Sequence, residues 1–215
     1  AENAEPLKAT IAGLRVFADG LARNTGKLDG IVAGLERMTG GGAAAAKVTY
    51  DLRAARTFPE LSGKTLRAAL AIPEPTAVAM LETQPFLFSP PADMPEFANA
   101  MWADSIPKLV QARLIESFEN FDIAHAPLRS MDDAQVDDRL LIDIRSFRIN
   151  TDPEPMAEIG LSARIVDKDG KVVASRLFRE TAKLDKVEPA AAVAAFNDAF
   201  AQIAKAVIAW TVEAL

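Results

Sequence analysis

Leucine recurs at every seventh position near the start of this chain, at Leu7, Leu14, Leu21, Leu28 and Leu35. Four residues after each of the first four leucines stand Ile11, Ala18, Thr25 and Val32. This alternation of four- and three-residue spacings predicts a long helix over residues 1–42 with one apolar seam along it. Five glycines lie between Leu7 and Leu35, and each costs a helix about 1 kcal/mol relative to alanine. The helix is therefore marginal alone in water and needs a partner surface.

Three surfaces could cover this heptad seam: the rest of the chain, identical chains, or lipid. We predict homo-oligomers that form through the helix. The candidate partner- or lipid-contact residues of the seam are Leu7, Ile11, Leu14, Leu21, Leu28, Val32 and Leu35. The alternative interpretation is an ordinary helix packed on its own globular domain.

A different pattern follows the Gly- and Ala-rich run 40–46, from which we predict a linker at 43–46. Residues 47–82 alternate apolar and polar positions and predict three strands, and the Pro- and Phe-rich stretch 85–97 predicts a short edge strand and a loop. Residues 140–149, 157–165 and 172–179 predict three further strands. The apolar phase changes near Arg145-Ser146, which indicates a bulge, and Asp169-Gly170 indicates a hairpin turn.

Two segments carry the helical period instead. Residues 106–121 follow a plausible N-cap at Asp104 or Ser105, and a second amphipathic helix begins near Pro189. We therefore predict that residues 47–215 form an α+β domain. Its largely antiparallel sheet carries two packed amphipathic helices, and the long N-terminal heptad helix precedes it.

Composition excludes several classes of function. The chain has 215 residues, a net charge of −6, no cysteine and one histidine. Without a basic stripe, neither nucleic-acid binding nor electrostatic docking on anionic lipid is expected. Thiol chemistry, disulfides and cysteine- or histidine-rich metal sites are excluded as well. No stretch is predicted to span a membrane, because polar residues interrupt the Ala-rich C-terminus.

We find no set of residues that predicts catalysis, a cofactor or a metal. His125 has no Ser, Cys or second His near it in the sequence, which favours a structural role. The acidic run 132–138 lacks the spacing and the glycine of an EF-hand loop. No phosphate-binding glycine motif is present.

Within residues 47–215, Trp102 is the single residue whose position most suggests a functional role. It stands just before a predicted helix, in a region rich in Phe and Pro. We weigh two roles for it, core packing under the loop and contact with a partner.

Several ordered motifs resemble the ABC-type transport auxiliary lipoprotein family. They are Met-Trp-Ala-Asp at 101–104 with the helix 109–120, the strand 140–147, the run Arg176-Leu177-Phe178, and an Ala-rich last helix that ends near Trp210. The resemblance covers residues 47–215. It implies a periplasmic, non-catalytic companion of an ABC transporter for phospholipids or other hydrophobic molecules. The family usually begins at a lipidated cysteine, and this chain has none.

The first helix resembles the C-terminal helix of MCE (mammalian cell entry) proteins, through Phe-Ala-Asp-Gly-Leu-Ala-Arg-Asn at 17–24 and Gly-Ile-Val-Ala-Gly-Leu at 30–35. Those are membrane-anchored, lipid-carrying components of the same transporters. The two resemblances together imply the tail of a fused protein. In that fusion, an upstream membrane segment and MCE domain replace the lipid anchor.

We therefore expect a non-enzymatic, periplasmic docking or scaffold module of a lipid-transport ABC system, anchored to the inner membrane by an upstream segment. Its expected partners are the permease and ATPase, MCE-type subunits and phospholipid. The alternative is a small-ligand or peptide-binding α+β domain unrelated to transport.

Overall fold

The computed structural model describes residues 46–58, 65–66, 68–129 and 136–215. The chain divides into two units, Ala1–Ala46 and Lys47–Leu215, and the elements below belong to the second. The predicted helix 1–42 with its seam residues, and nearly all of the predicted linker, lie outside the described residues.

The described residues form eight strands and two α-helices. The strands are β1 (Val48–Tyr50), β2 (Leu70–Ala71), β3 (Thr76–Ala77), β4 (Phe88–Ser89), β5 (Ala100–Trp102), β6 (Asp138–Asn150), β7 (Met156–Asp167) and β8 (Val172–Lys183). The helices are α1 (Ile106–Phe121) and α2 (Pro189–Ala214). This arrangement confirms the predicted α+β class.

Strands β6, β7 and β8 form an antiparallel meander, as their sequence pattern predicts. The β7–β8 turn contains Gly170 at φ 82°, a left-handed conformation that glycine adopts without steric cost. The register of β6 on β7 shifts between Ile144 and Ser146, which is where the apolar phase of the sequence changes. The shift places Arg145 in a β-bulge.

The other edge of β6 differs from expectation. It pairs with three short strands in succession, β2, β3 and β4, and all three pairings are parallel. Prolines at 73, 75 and 85 separate these strands, and proline cannot donate to a ladder, so each run is two residues long. β1 instead pairs with β5, which the sequence pattern did not predict, in a separate parallel two-stranded sheet.

Both helices contribute to a single core. α2 packs on β7 and β8, and its buried face includes Phe196, Phe200, Ile203 and Val207. By length and a mean hydropathy of 1.3, α2 could cross a membrane, but half of that stretch is buried inside the domain. Its apolar character is therefore that of a core helix.

An aromatic cluster joins the layers at the centre of the domain. Phe147 of β6 and Phe196 of α2 stack with ring centroids 4.5 Å apart. Trp102 lies 5.5 Å from Phe147, 5.4 Å from Phe196 and 4.6 Å from Phe86. Its side chain is 1% exposed. The indole therefore packs in the core of the described domain, which agrees with the first of the two roles weighed for it.

Phe196 tests the importance of this cluster, because it contacts three of the other rings. Phe196→Ala should lower the free energy of unfolding by about 3–5 kcal/mol, through lost burial and a residual cavity. Chemical denaturation measures this loss. Ile123→Ala is the control: Ile123 is 74% exposed, so its truncation should change stability by about 0.5 kcal/mol or less. A loss below about 1 kcal/mol for Phe196→Ala would contradict a central role.

Candidate interaction surface

One face of the meander is left to solvent by the helices. Side chains alternate between the two faces of a strand, and the positions on the core side include Ile142, Leu161 and Phe178. We call the opposite set the outer face. It comprises Arg139, Leu141, Asp143, Ser146, Arg148 and Asn150 of β6, Met156, Glu158, Gly160, Ser162, Arg164 and Val166 of β7, and Val172, Ser175, Leu177, Arg179, Thr181 and Lys183 of β8.

The charge of the outer face is opposite to that of the chain. It carries five cations, from four arginines and Lys183, and two carboxylates, from Asp143 and Glu158, whereas the whole chain has a net charge of −6. Asp143 also pairs with the bulged Arg145, whose Nε lies 2.8 Å from its Oδ2. The fold thus collects a local excess of positive charge that the composition does not reveal.

Exposed apolar side chains lie among these cations. Leu177 is 75% exposed and Leu141 is 40% exposed, and Arg164 stands directly opposite Leu141 in the β6–β7 ladder. A cavity of about 270 Å³ lies beside them, lined in part by Thr76, Asp143 and Arg164. Apolar side chains beside arginines are typical of surfaces that bind another protein.

A buried carboxylate organises the other half of the outer face. Glu158, on the middle strand, is 2% exposed. Its Oε2 accepts hydrogen bonds from Arg179 Nη2 at 2.6 Å and Asn150 Nδ2 at 2.8 Å, and its Oε1 lies 3.3 Å from Arg148 Nη2. The two arginines come from the strands on either side, so the cluster links side chains of all three strands.

Burial raises the pKa of Glu158, but hydrogen bonds from Arg179, Ser146 and Asn150 and the charge of Arg148 outweigh it and lower the pKa to about 2. Gly160 makes room for this arrangement. A Cβ at Gly160 would lie 2.6 Å from Ser146 Oγ, so a larger residue would displace the hydroxyl that supports the carboxylate.

The described residues offer one constellation that resembles catalytic machinery. Thr65 Oγ1 lies 2.9 Å and Asp122 Oδ2 2.8 Å from His125 Nδ1. A nucleophile–His–acid relay requires the two partners on different ring nitrogens, whereas here both approach Nδ1. Asp122 also accepts a hydrogen bond from the backbone of Ala124, so the group closes the end of α1. Thr65 lies 60 residues before His125, and only the fold brings them together.

A groove of about 750 Å³ is a second candidate site. Its wall is the extended segment 51–57, which is held between the helices because Asn197 Oδ1 accepts from Arg53 N and Ser117 Oγ accepts from Ala55 N. The lining mixes charge with small apolar groups, as in Lys205 and Val193. Among the described residues no group of three His, Asp or Glu side chains could hold a metal ion.

From the sequence, the candidate contacts are Trp102 and the seven seam residues. The structure places Trp102 in the core, and the seam residues lie outside the described part of the chain. The outer face was missed because its members come from three strands and only their register unites them. The sequence shows the apolar alternation of residues 157–165. It does not show which charged residues of β6 and β8 stand next to them in the sheet.

The described residues thus form an α+β domain whose two helices leave one sheet face open. The chain belongs to the family of ABC-type transport auxiliary lipoprotein components, whose model matches residues 50–208. That result confirms the resemblance found for residues 47–215 and gives the chain an accessory role related to transport. The resemblance of residues 1–42 to MCE proteins stays a prediction.

The chain is also similar to one curated protein and to two solved structures. An uncharacterized protein of Bradyrhizobium diazoefficiens is 69% identical over 214 residues, which are 100% of this chain and 58% of that protein. The chain thus spans less than two thirds of this curated relative. The crystal structure of protein XCC0632 from Xanthomonas campestris matches with a TM-score of 0.68 and 25% identity, over 78% of this chain and 95% of that one. A second solved structure, of an uncharacterized protein, shares the fold at a TM-score of 0.56 and 15% identity, over 76% of this chain and 97% of that one.

The Glu158 cluster makes the free energy of unfolding depend on pH in the acidic range. The folded-state pKa of about 2 lies below the ordinary value of 4.5, so ionised Glu158 stabilises the fold above about pH 4.5. As pH falls through about 2, this contribution of up to about 3 kcal/mol is lost. Glu158→Gln should cost about 1–3 kcal/mol at pH 7. It should also flatten the fall in unfolding free energy between these pH values, as denaturant titrations at several pH values would measure.

Glu154→Gln is the matched control for this measurement. Glu154 also pairs with a cation, at 2.6 Å from Lys183 Nζ, but that pair is exposed and screened by water, so its loss should leave the free energy of unfolding nearly unchanged. Parallel pH curves for the wild type and Glu158→Gln would show that the cluster does not carry the acid dependence.

Proposed function

We propose that this chain is a non-enzymatic accessory module of an ABC-type transport system for lipids or other hydrophobic molecules, and that its outer face docks on another protein of that system. The proposal is carried by one observation. A domain of a transport-auxiliary family leaves one sheet face open, with Leu177 and Leu141 exposed among arginines.

The chemistry of the face favours a protein with an acidic, partly apolar surface. Arginine is enriched where proteins bind one another, because its planar fork pairs with carboxylates while its stem covers apolar surface. The exposed leucines supply area whose removal from water is favourable. Arg164 lies beside Leu141, so one patch offers both contributions.

The N-terminal unit extends this proposal. Its heptad seam would carry homo-oligomerisation and contact with phospholipid, and an upstream MCE domain and membrane segment would anchor the protein in the periplasm at the inner membrane. The Bradyrhizobium relative is longer than this chain, which covers 58% of it, so a protein of that length has room for further domains. Lipid contact requires only a continuous apolar surface, which the leucine spacing provides.

Docking can be tested by reversing the chemistry of the patch. The test uses the double variant Arg164→Glu/Leu177→Asp in the natural full-length protein carrying an affinity tag. The amount of ABC transporter that co-purifies with this variant should fall at least about tenfold, because both the cation and the apolar contact are removed. The measurement is purification from detergent-solubilised membranes of the source bacterium. Mass spectrometry then quantifies the ABC ATPase, permease and MCE-type subunits that accompany the protein.

Lys108→Glu/Ile123→Asp is the matched control, with the same change of charge and an apolar residue of nearly equal exposure, 74% against 75%. Both control residues lie outside the outer face, so the control should retain the transporter subunits. Equal unfolding midpoints for the two double variants would exclude misfolding. Wild-type protein that recovers no ABC subunit, or a patch variant that recovers as much as the control, would contradict the proposal.

A small-ligand or peptide-binding role is the second candidate, and the groove beside segment 51–57 favours it. Val193→Trp would fill part of that groove, whereas Leu14→Asn/Leu21→Asn/Leu28→Asn would interrupt the seam. Native mass spectrometry of protein purified without detergent should detect bound phospholipid that the seam variant loses and the groove variant keeps. A bound small molecule or peptide that the seam variant retains and the groove variant loses would favour the second candidate.

A further inference from the structure

Strand β8 offers an open edge for pairing. It pairs with β7 along its whole length, from Val172 to Lys183, and among the described residues no strand pairs with its other side. An edge strand presents a row of unpaired backbone donors and acceptors, which is a template for another strand. Twelve residues are long for such an edge, since edge strands are commonly kept short.

Few of the usual protections operate along this edge. β8 contains no proline, and the shift in its register lies at its beginning, near Val172. Two of its four charged side chains are already engaged within the sheet, Arg179 by Glu158 and Lys183 by Glu154. Arg176 and Glu180 take part in no ion pair among the described residues, although Arg176 also lies 5.3 Å from the centre of the Phe178 ring.

We propose that β8 pairs antiparallel with β8 of a second copy of this chain, around a two-fold axis normal to the sheet. Such an axis keeps α2 of both copies on the same side, so residues that face each other must share a face. Centring the pair on Phe178 places Arg176 opposite the partner's Glu180, and the same contact repeats on the other side of the axis. The edge is therefore complementary to itself.

Neighbouring registers are less favourable. Centring on Arg176, Arg179 or Glu180 sets identical charges directly opposite each other, which destabilises a sheet. Centring on Leu177 sets Arg176 opposite the partner's Phe178. In that register neither Arg176 nor Glu180 faces a residue of opposite charge. The Phe178 register gives two opposite-charge pairs on the α2 side of the joined sheet, and it sets Leu177 beside the partner's Arg179 on the outer face.

This pairing has a consequence for docking. Because the sheet continues from one copy to the other, the two outer faces would form one surface with twice the area. A partner would then meet two arginine-rich patches related by symmetry, and simultaneous engagement of both would strengthen binding without any new kind of contact.

Engineered cysteines test the register directly, because the full chain contains none of its own. Ser175 and Thr181 face each other across the proposed axis. A mixture of S175C chains and T181C chains should form disulfide-linked dimers, and either variant alone should not, because residues at the same position lie about 20 Å apart in this register. The test is run in the L14N/L21N/L28N background as well, so that association through the seam is separated. Absence of the mixed dimer, or equal cross-linking of a single variant, would overturn the proposal.

Charge reversal gives an independent measurement. R176E should weaken self-association of the seam variant by about tenfold or more in sedimentation experiments, because two opposite-charge pairs become like-charge pairs. E180R should do the same, and R176E/E180R should restore association. Restoration cannot arise from a role of either residue inside one copy. A seam variant that sediments as a monomer, or a double variant that associates no better than the single ones, would overturn the proposal.

Discussion

The β-bulge at Arg145 is the constraint on which the rest of the domain depends. It inserts one residue into β6, so that Ile142 and Ile144 before it and Phe147 and Ile149 after it all face the core. Without the extra residue the alternation would turn Phe147 to solvent. The aromatic cluster with Trp102 and Phe196 requires Phe147 in the core, so the bulge holds the centre of the fold together.

The same inserted residue shapes the opposite face. After the bulge, Ser146, Arg148 and Asn150 point away from α2 and surround Glu158 of β7. A carboxylate can be buried there because four groups replace the water it has lost: the hydrogen-bond donors Ser146 and Asn150 and the cations Arg148 and Arg179. One irregularity in one ladder thus sets both the apolar core and the polar network on the outer face.

The outer face is positively charged because of how charged residues are distributed over the fold, since the chain as a whole is acidic. The net charge of the sequence is −6, which by itself disfavours acidic partners. Register then brings four arginines from three strands onto one face, among exposed leucines. Arginines beside exposed leucines are the chemistry on which the proposed docking of an acidic protein partner rests.

Local patterns determined much of this protein. The meander 138–183, its bulge, its hairpin turn and both helices follow from the period of apolar residues and from turn residues, which act over a few positions of the chain. Motifs such as the Met-Trp-Ala-Asp run before α1 also carried enough information to identify the family. Tertiary structure alone decided the parallel pairing of β2, β3 and β4 with β6, the burial of Trp102, the meeting of Thr65 with His125, and the arginine-rich outer face. Those features join residues that are distant in sequence, so they depend on register and packing, which no local period encodes.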